Sequence, residues 1–111
     1  MALASQLLDD QGLTDALIAR TSPKLFHPYR ILILKILAAH GEVEFRELKH
    51  DLKLTDGNLA AHLGVLVHLG YLKPKKEIVG RKLRTSYVMT DEGLKALRDF
   101  ARTMRRVISL V

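Results

Sequence analysis

Five histidines, at positions 27, 40, 50, 62 and 68, are the residues of this chain best suited to metal or acid–base chemistry. Their spacing argues against both. No two stand four apart on one helix, no cysteine accompanies them, and no carboxylates converge beside them. A chain without cysteine has no disulfide, thiolate zinc site or thiol nucleophile. Serines 5, 22, 86 and 109 lie in no nucleophile motif, and Gly80 is isolated, not part of a phosphate-cradling loop. Glu42 and Glu44 fall on a strand too short to build an active site. His27 beside Pro28 reads as a capping residue and His40 as a helix-end residue. The expectation is therefore no catalytic residue, no metal and no cofactor, and hence no enzyme.

A different chemistry, the reading of a polyanion, has better grounds. Thr55, Asn58, Ala61, His62 and Val65 share one face of a helix, opposite an apolar stripe of Leu59, Leu63 and Leu66. Asparagine can pair bidentately with adenine, threonine and alanine can meet a thymine methyl, and histidine can donate or accept. Asn58 is the only asparagine in the chain. The plainer alternative makes Thr55 and Asn58 helix-start residues only. This helix has no Lys or Arg from 54 to 70, and it carries Asp56. The positive charge lies beyond it. Residues 71–90 hold Lys73, Lys75, Lys76, Arg81, Lys82 and Arg84 against Glu77 alone, a local charge of +5. Lysine and arginine placed on phosphates release counterions, which supplies most non-specific affinity for nucleic acid.

The elements that must position these groups can be read from composition and punctuation. The 111 residues, 48% hydrophobic and 27% charged with a net charge of +6, suit one globular domain with a polyanionic partner. No apolar run is long enough to span a bilayer, so no membrane partner is expected. Residues 1–10 lack Lys and Arg and carry Asp9 and Asp10, which argues against a secretory signal and for a cytoplasmic location. Residues 2–20 read as helical. Ser22-Pro23 and then Pro28 are helix-start signals. A helix follows through Ile31, Leu32, Leu34, Ile36 and Leu37 to His40-Gly41. Glu42–Glu44 reads as a small strand, and Phe45–Leu52 as a short helix with Phe45, Leu48 and Leu52 on one side. Lys53-Leu54 makes a tight link. Thr55 then caps a helix running to about Leu69, ended by Gly70. A β-hairpin is expected from Ile78-Val79, a turn over Gly80–Arg84, and a strand from Thr85 to Met89. Thr90 caps the last helix, with Asp91 and Glu92 in its first turn.

Two helices joined by a tight link and followed by a basic-tipped hairpin form the winged helix-turn-helix pattern. The run Leu25-Phe26-His27-Pro28-Tyr29-Arg30 through Ile33-Leu34, with Gly41 to Leu48, resembles the opening of ArsR/MarR-like winged-helix transcriptional regulators. Leu54 to Leu63, Gly70-Tyr71-Leu72, the wing Val79 to Tyr87 and Thr90-Asp91-Glu92-Gly93 are similar to the compact prokaryotic "winged helix DNA-binding domain" subgroup. The resemblance covers residues 25–98. It implies a mainly α (α+β) winged helix-turn-helix whose second helix enters the major groove of double-stranded DNA. The residues expected on DNA are Thr55, Asp56, Gly57, Asn58, Ala61 and His62 in that helix, and Arg81, Lys82 and Arg84 in the wing.

The last helix carries a further pattern. Leu94, Leu97, Ala101, Met104, Ile108 and Val111 recur at 3-4-3-4-3 spacing, a heptad seam widened by Phe100 and Val107. One side can cover its own domain and the rest is expected to dimerise two copies, with help from residues 2–20. The expected organisation is a single domain over 1–111: an N-terminal helix in 1–22, a winged core over 23–89 and a dimerisation helix over 90–111. The expected function is that of a homodimeric, sequence-specific regulator of transcription. A winged-helix protein-interaction module and a weakly specific architectural DNA-binding protein are the rival readings. No pattern identifies a small-molecule effector, the operator, or whether the regulator represses or activates.

Overall fold

The computed structural model describes residues 23–109; the helix expected over 2–20 and the seam residue Val111 lie outside them. Pro23–Leu25 form a 3-10 turn. Pro28 forces its predecessor out of the helical region, and His27 is extended at φ −148°, ψ 129°. The first helix, α1 (Pro28–His40), starts there, with His27 Nδ1 accepting the Tyr29 N–H at 3.2 Å. Gly41, at φ 84°, ends it. Strand β1 (Glu42–Glu44) leads into α2 (Phe45–Leu52), and α3 (Asp56–His68) follows. The link between these two helices holds Lys53 in left-handed backbone, φ 55°, ψ 45°, a conformation that costs an L-residue roughly 1–2 kcal/mol. Two hydrogen bonds offset that cost: Lys53 N–H to the His50 carbonyl at 3.3 Å and Leu54 N–H to the Lys49 carbonyl at 3.2 Å.

Helix α3 is capped at both ends by its own sequence. Thr55 Oγ1 accepts the Asn58 N–H at 3.2 Å. At the other end the Gly70 N–H bonds the Val67 carbonyl at 2.9 Å and the Tyr71 N–H bonds the Leu66 carbonyl at 3.0 Å. Gly70 sits at φ 82° between them, as this type of helix stop requires.

Strands β2 (Leu72–Val79) and β3 (Lys82–Met89) form the hairpin, and α4 (Asp91–Ser109) completes the chain. The antiparallel sheet has the order β1-β3-β2. Its register pairs Leu72 with Met89 at the base, Ile78 with Leu83 near the tip, and Val43 with Tyr87 across β1 and β3. The hairpin is longer than the sequence reading allowed and its turn tighter. Two residues, Gly80 and Arg81, replace the expected turn over 80–84, so Lys82 and Arg84 lie on a strand. The cause is position. β2 is an edge strand, where Pro74 needs no donor on its open side and Lys75-Lys76 discourage further pairing. Gly80 at φ 66°, with Arg81 outside the positive-φ region, suits a two-residue turn.

The core is built from Leu25, Ile33, Leu34, Leu37, Val43, Leu48, Leu59, Leu63, Leu66 and Leu72. The apolar stripe assigned to α3 is thus buried as expected. In α1, which is apolar nearly all round, the fully buried residues are Ile33, Leu34 and Leu37. Leu32, counted on the apolar pattern, is 47% exposed. Helix α4 closes the core through Ala96, Leu97 and Phe100, and Phe100 meets Phe26 edge-on at 5.3 Å between ring centroids. Among the described residues no helix is long and apolar enough to cross a membrane.

Thr90 and Gly93 join this helix to the rest. Thr90 Oγ1 donates to the Gly70 carbonyl at 2.6 Å and accepts the Gly93 N–H at 3.0 Å. Gly93 is buried, and a Cβ there would run into the Tyr71 carbonyl oxygen and press on Met89 Cγ. Glycine to alanine inside a helix ordinarily gains about 1 kcal/mol. Here the sign should reverse. Gly93→Ala is expected to lower stability by roughly 1–3 kcal/mol through overpacking against backbone, read as a lower urea midpoint with an unchanged slope.

Candidate nucleic-acid interface

The first turn of α3 is open to solvent. Thr55, Asp56, Gly57 and Asn58 are all exposed, as is Ala61 one turn on. The Thr55 hydroxyl oxygen holds the Asn58 backbone N–H, while the Asn58 side chain stands in solvent. Asp56 is held by Lys49 of α2 at 2.9 Å, which offsets the one negative charge in this turn. The exposed stripe continues through Ala60, Gly64 and His68. Gly57 and Gly64 have open space where a Cβ would stand. The outward side of α3 is therefore nearly bare backbone beyond its polar first turn. Val65, expected beside the reading residues, is half-buried.

His62 is placed differently from its neighbours. It is half-buried between α3 and the start of α1, where its Nδ1 accepts the Arg30 Nε–H at 3.1 Å. Its ring lies 4.4 Å from that of His27 and 5.7 Å from that of Tyr29. Arg30 also donates to the Lys24 carbonyl at 2.7 Å. In this arrangement His62 fixes the helix rather than facing outward with Asn58. Burial first, and then the nearby His27 and Arg30, hold its pKa below the ordinary 6.5. The imidazole is therefore neutral at pH 7 and accepts at Nδ1.

The cations form a band. One recess, at the turn into α3, is lined by Arg46, Lys49, His50, Lys53, Leu54 and Asp56. A second, between α2 and the wing, is lined by Phe45 and Arg46 on one side and by Lys82, Leu83 and Arg84 on the other. Arg46 belongs to both, so cations extend from the N-terminus of α3 across α2 to the wing, with Asp56 among them in the first recess and Glu44 in the second. Glu47 and Asp51 of α2 line neither recess. The α2 contribution was legible and missed: Arg46, Lys49, His50 and Lys53 recur at i, i+3, i+4 and i+7, the spacing of one helix face.

Not all of the wing's charge is free. Lys75 pairs with Glu42 at 2.7 Å, and Arg84 lies 3.5 Å from Glu44. The bond to Glu42 raises the Lys75 pKa. Arg81 and Lys82, at the turn, make no ion pair among the described residues. No group of three potential metal ligands occurs among those residues either.

The pattern of winged helix DNA-binding domains matches residues 29–108. The chain belongs to that family. Among solved structures, this winged helix domain is similar to a transcriptional regulator homologue from Pyrococcus horikoshii, with a TM-score of 0.77 and 28% identity over 90% of this chain and 95% of that one. PadR of Bacillus subtilis, solved in complex with operator DNA, shares the fold at a TM-score of 0.61 and 21% identity, over 68% of this chain and 47% of that one. An uncharacterized protein of Methanocaldococcus jannaschii is 35% identical over 71 residues, 64% of this chain and 77% of its own. The winged-helix architecture expected from the sequence, mainly helical with a small antiparallel sheet, is the observed one, and the family is one of DNA-binding domains, not enzymes.

The His62 environment makes a pH prediction. A folded-state pKa below the unfolded 6.5 means that the unfolded chain binds the extra proton more readily. The stability contribution is complete above that value and is lost as pH falls through the depressed folded pKa. His62→Gln keeps an acceptor for Arg30 but cannot titrate. Urea unfolding between roughly pH 7.5 and pH 5 should show the wild-type domain losing more stability than the variant on acidification.

Proposed function

We propose that this winged helix domain is a transcriptional regulator that binds double-stranded DNA with sequence preference as a homodimer, in the manner of the ArsR/MarR-like kinship drawn from its sequence. The observation that carries the reading is the group of cations on α2 and the wing beside a small-residue α3 that lacks Lys and Arg and whose exposed first turn displays Asn58. Charge at the flanks suits phosphate contact; a slim helix between them suits close approach to base edges. Asn58 is the candidate base reader, with Thr55, Gly57 and Ala61 beside it. Arg81, Lys82 and the α2 cations are the candidate phosphate contacts. Arg84 would have to leave Glu44 to join them, and His62 would have to leave Arg30. The regulator homologue of P. horikoshii supports the functional class. A cytoplasmic location follows from that role.

The bare, uncharged face of α3 favours one other reading, a protein-interaction module. Retardation of random duplex at low salt separates the two, since such a module has no use for the cationic band. A third outcome, equal affinity for all sequences, would indicate an architectural role.

The two groups of residues should fail in different ways. Arg81→Ala/Lys82→Ala should flatten the log–log dependence of affinity on salt by roughly 0.9 for each phosphate left without its cation, with sequence preference retained. Asn58→Ala should instead reduce discrimination at one position by roughly 1–3 kcal/mol while non-specific binding persists. Titrations of matched and mismatched duplexes across a salt series read both effects. Equal loss on every sequence would remove Asn58 from the reading surface.

The dimer is proposed to form on α4. The buried side of this helix runs through Gly93, Ala96, Leu97, Phe100 and Thr103. Leu94, Ala101, Met104 and Ile108 lie on the adjacent stripe, the first three half-buried and Ile108 63% exposed. Leu97, placed in the seam by its spacing, packs on its own core. A charge at Ile108 costs little in a monomer but roughly 3–5 kcal/mol if buried unpaired between two copies. Ile108→Glu should therefore sediment as a folded monomer where the wild type sediments as a dimer.

A further inference from the structure

The tip of the wing carries an apolar pair that phosphate anchoring does not use. Ile78 is 76% exposed and Leu83 is 63% exposed. They are register partners in the last rungs before the Gly80-Arg81 turn, so their side chains share one face. Alternation places Lys76 with Thr85, Pro74 with Tyr87 and Leu72 with Met89 on that same face. Leu72 is buried, and Tyr87 and Met89 pack against the core. The core-side face of the hairpin thus continues outward beyond the body of the domain and ends in two large aliphatic side chains with nothing over them.

Their surroundings are electrostatically one-sided. No acidic residue lies on this face of either strand: Glu77 alternates to the other face, and Glu42 and Glu44 engage Lys75 and Arg84 there. Lys76 on this face and Arg81 at the turn flank the pair, Lys82 stands next to Leu83 on the opposite face, and none of the three has an ion-pair partner among the described residues. Leu83 also borders the recess that Arg46 and the Arg84-paired Glu44 line. Single exposed aliphatics are ordinary on protein surfaces. A register-locked pair at the end of a ribbon, flanked by unpaired cations, is a surface complementary to something that is anionic outside and apolar within.

We propose that Ile78 and Leu83 form a wedge that enters the minor groove of bound duplex DNA and opens a base step, while Arg81 and Lys82 hold the phosphates on either side. The proposal rests on the DNA-binding reading above. Apolar side chains inserted from the minor groove partly unstack a step and bend the duplex away from the protein, toward the major groove. Pyrimidine–purine steps deform most easily, so the wedge also predicts such a step beneath the wing at a position no polar side chain reads.

The test uses the full chain and an end-labelled duplex of about 30 base pairs selected by that chain from a random pool, a length set by two half-sites one DNA turn apart. Affinity and the end-to-end distance of the DNA are measured across a salt series for the wild type and for Ile78→Thr/Leu83→Thr. Threonine is β-branched and keeps strand propensity, so the exposed hairpin is retained. The expected result is affinity about tenfold weaker at every salt concentration, an unchanged salt slope because every phosphate contact is kept, and a longer end-to-end distance as the bend relaxes. Leu83→Phe, a larger wedge, should bend the duplex more. Unchanged affinity and unchanged bend in both variants would overturn the wedge and leave a protein partner as the occupant of the tip. A loss seen only as a flatter salt slope would overturn it too, since that is the mark of displaced cations. If the wild-type chain itself binds no duplex, the DNA-binding reading fails first and the wedge with it.

Discussion

The side-chain oxygen of Thr90 stands where three elements meet. It donates to the Gly70 carbonyl at the end of α3 and accepts the Gly93 N–H in the first turn of α4. The Thr90 N–H adds a bond to the Tyr71 carbonyl at 3.0 Å, just before β2 begins. Each bond contributes only about 1 kcal/mol net, and the three act at one point. Gly70 supplies the backbone turn that brings its carbonyl round, and Gly93 supplies the absent side chain that lets α4 approach Tyr71. Leu72 and Met89, paired at the base of the wing, are the next residues on either strand. The angle at which the wing leaves α3 and the angle at which α4 leaves the core are therefore set at one junction. A helix and a wing held at a fixed angle need no ordering on contact with a partner, which is where a preformed surface gains its affinity.

Charge and shape are divided between elements in this domain. Helix α3 carries its stability inward, through Leu59, Leu63 and Leu66, and presents almost nothing outward. Cations sit on α2 and the wing instead. The six cations of residues 71–90 oppose Glu77 alone in the sequence, but folding brings Glu42 and Glu44 against two of them, so six positive charges face three negative ones and the local charge is +3 rather than +5. The two exposed ion pairs contribute little stability. Their effect is positional: they tie the lower wing to β1 and leave the unpaired cations at the tip.

Element order was legible because punctuation residues mark nearly every boundary. Pro28, Gly41, Thr55, Gly70 and Thr90 each do in the structure what their chemistry suggests: a fixed φ, a positive φ or a capping oxygen. What escaped the sequence depends on tertiary placement. The length of β2 depends on its place at the edge of the sheet, where Pro74 is tolerated. α1 is apolar on all sides, so only packing decides that Ile33 is buried and Leu32 is not. His62 falls on the same helical face as Asn58 by spacing, but the arrival of Arg30 and His27 from α1, some thirty residues earlier, turns it into a structural acceptor. Arg84 was counted as free because Glu44, its partner, reaches it only through the β1–β3 pairing.

Helix α4 shows how one amphipathic segment can serve two surfaces. Gly93, Ala96, Phe100 and Thr103 form one stripe, and Leu94, Ala101, Met104 and Ile108 form the stripe about 100° around the helix, the turn per residue at 3.6 residues per turn. In the proposed dimer, the second stripe makes this 19-residue helix a lever of roughly 28 Å at 1.5 Å per residue, rooted at Thr90 and gripped by the partner toward its far end. Two reading helices must lie about 34–36 Å apart to meet successive turns of one DNA face. No residue of α3 or the wing can set that spacing, since neither reaches the second copy on this scheme. On the proposed dimer the angle of α4 at the Thr90–Gly93 junction would fix it, so a substitution there would alter which operator spacing is accepted without touching a residue proposed to meet DNA.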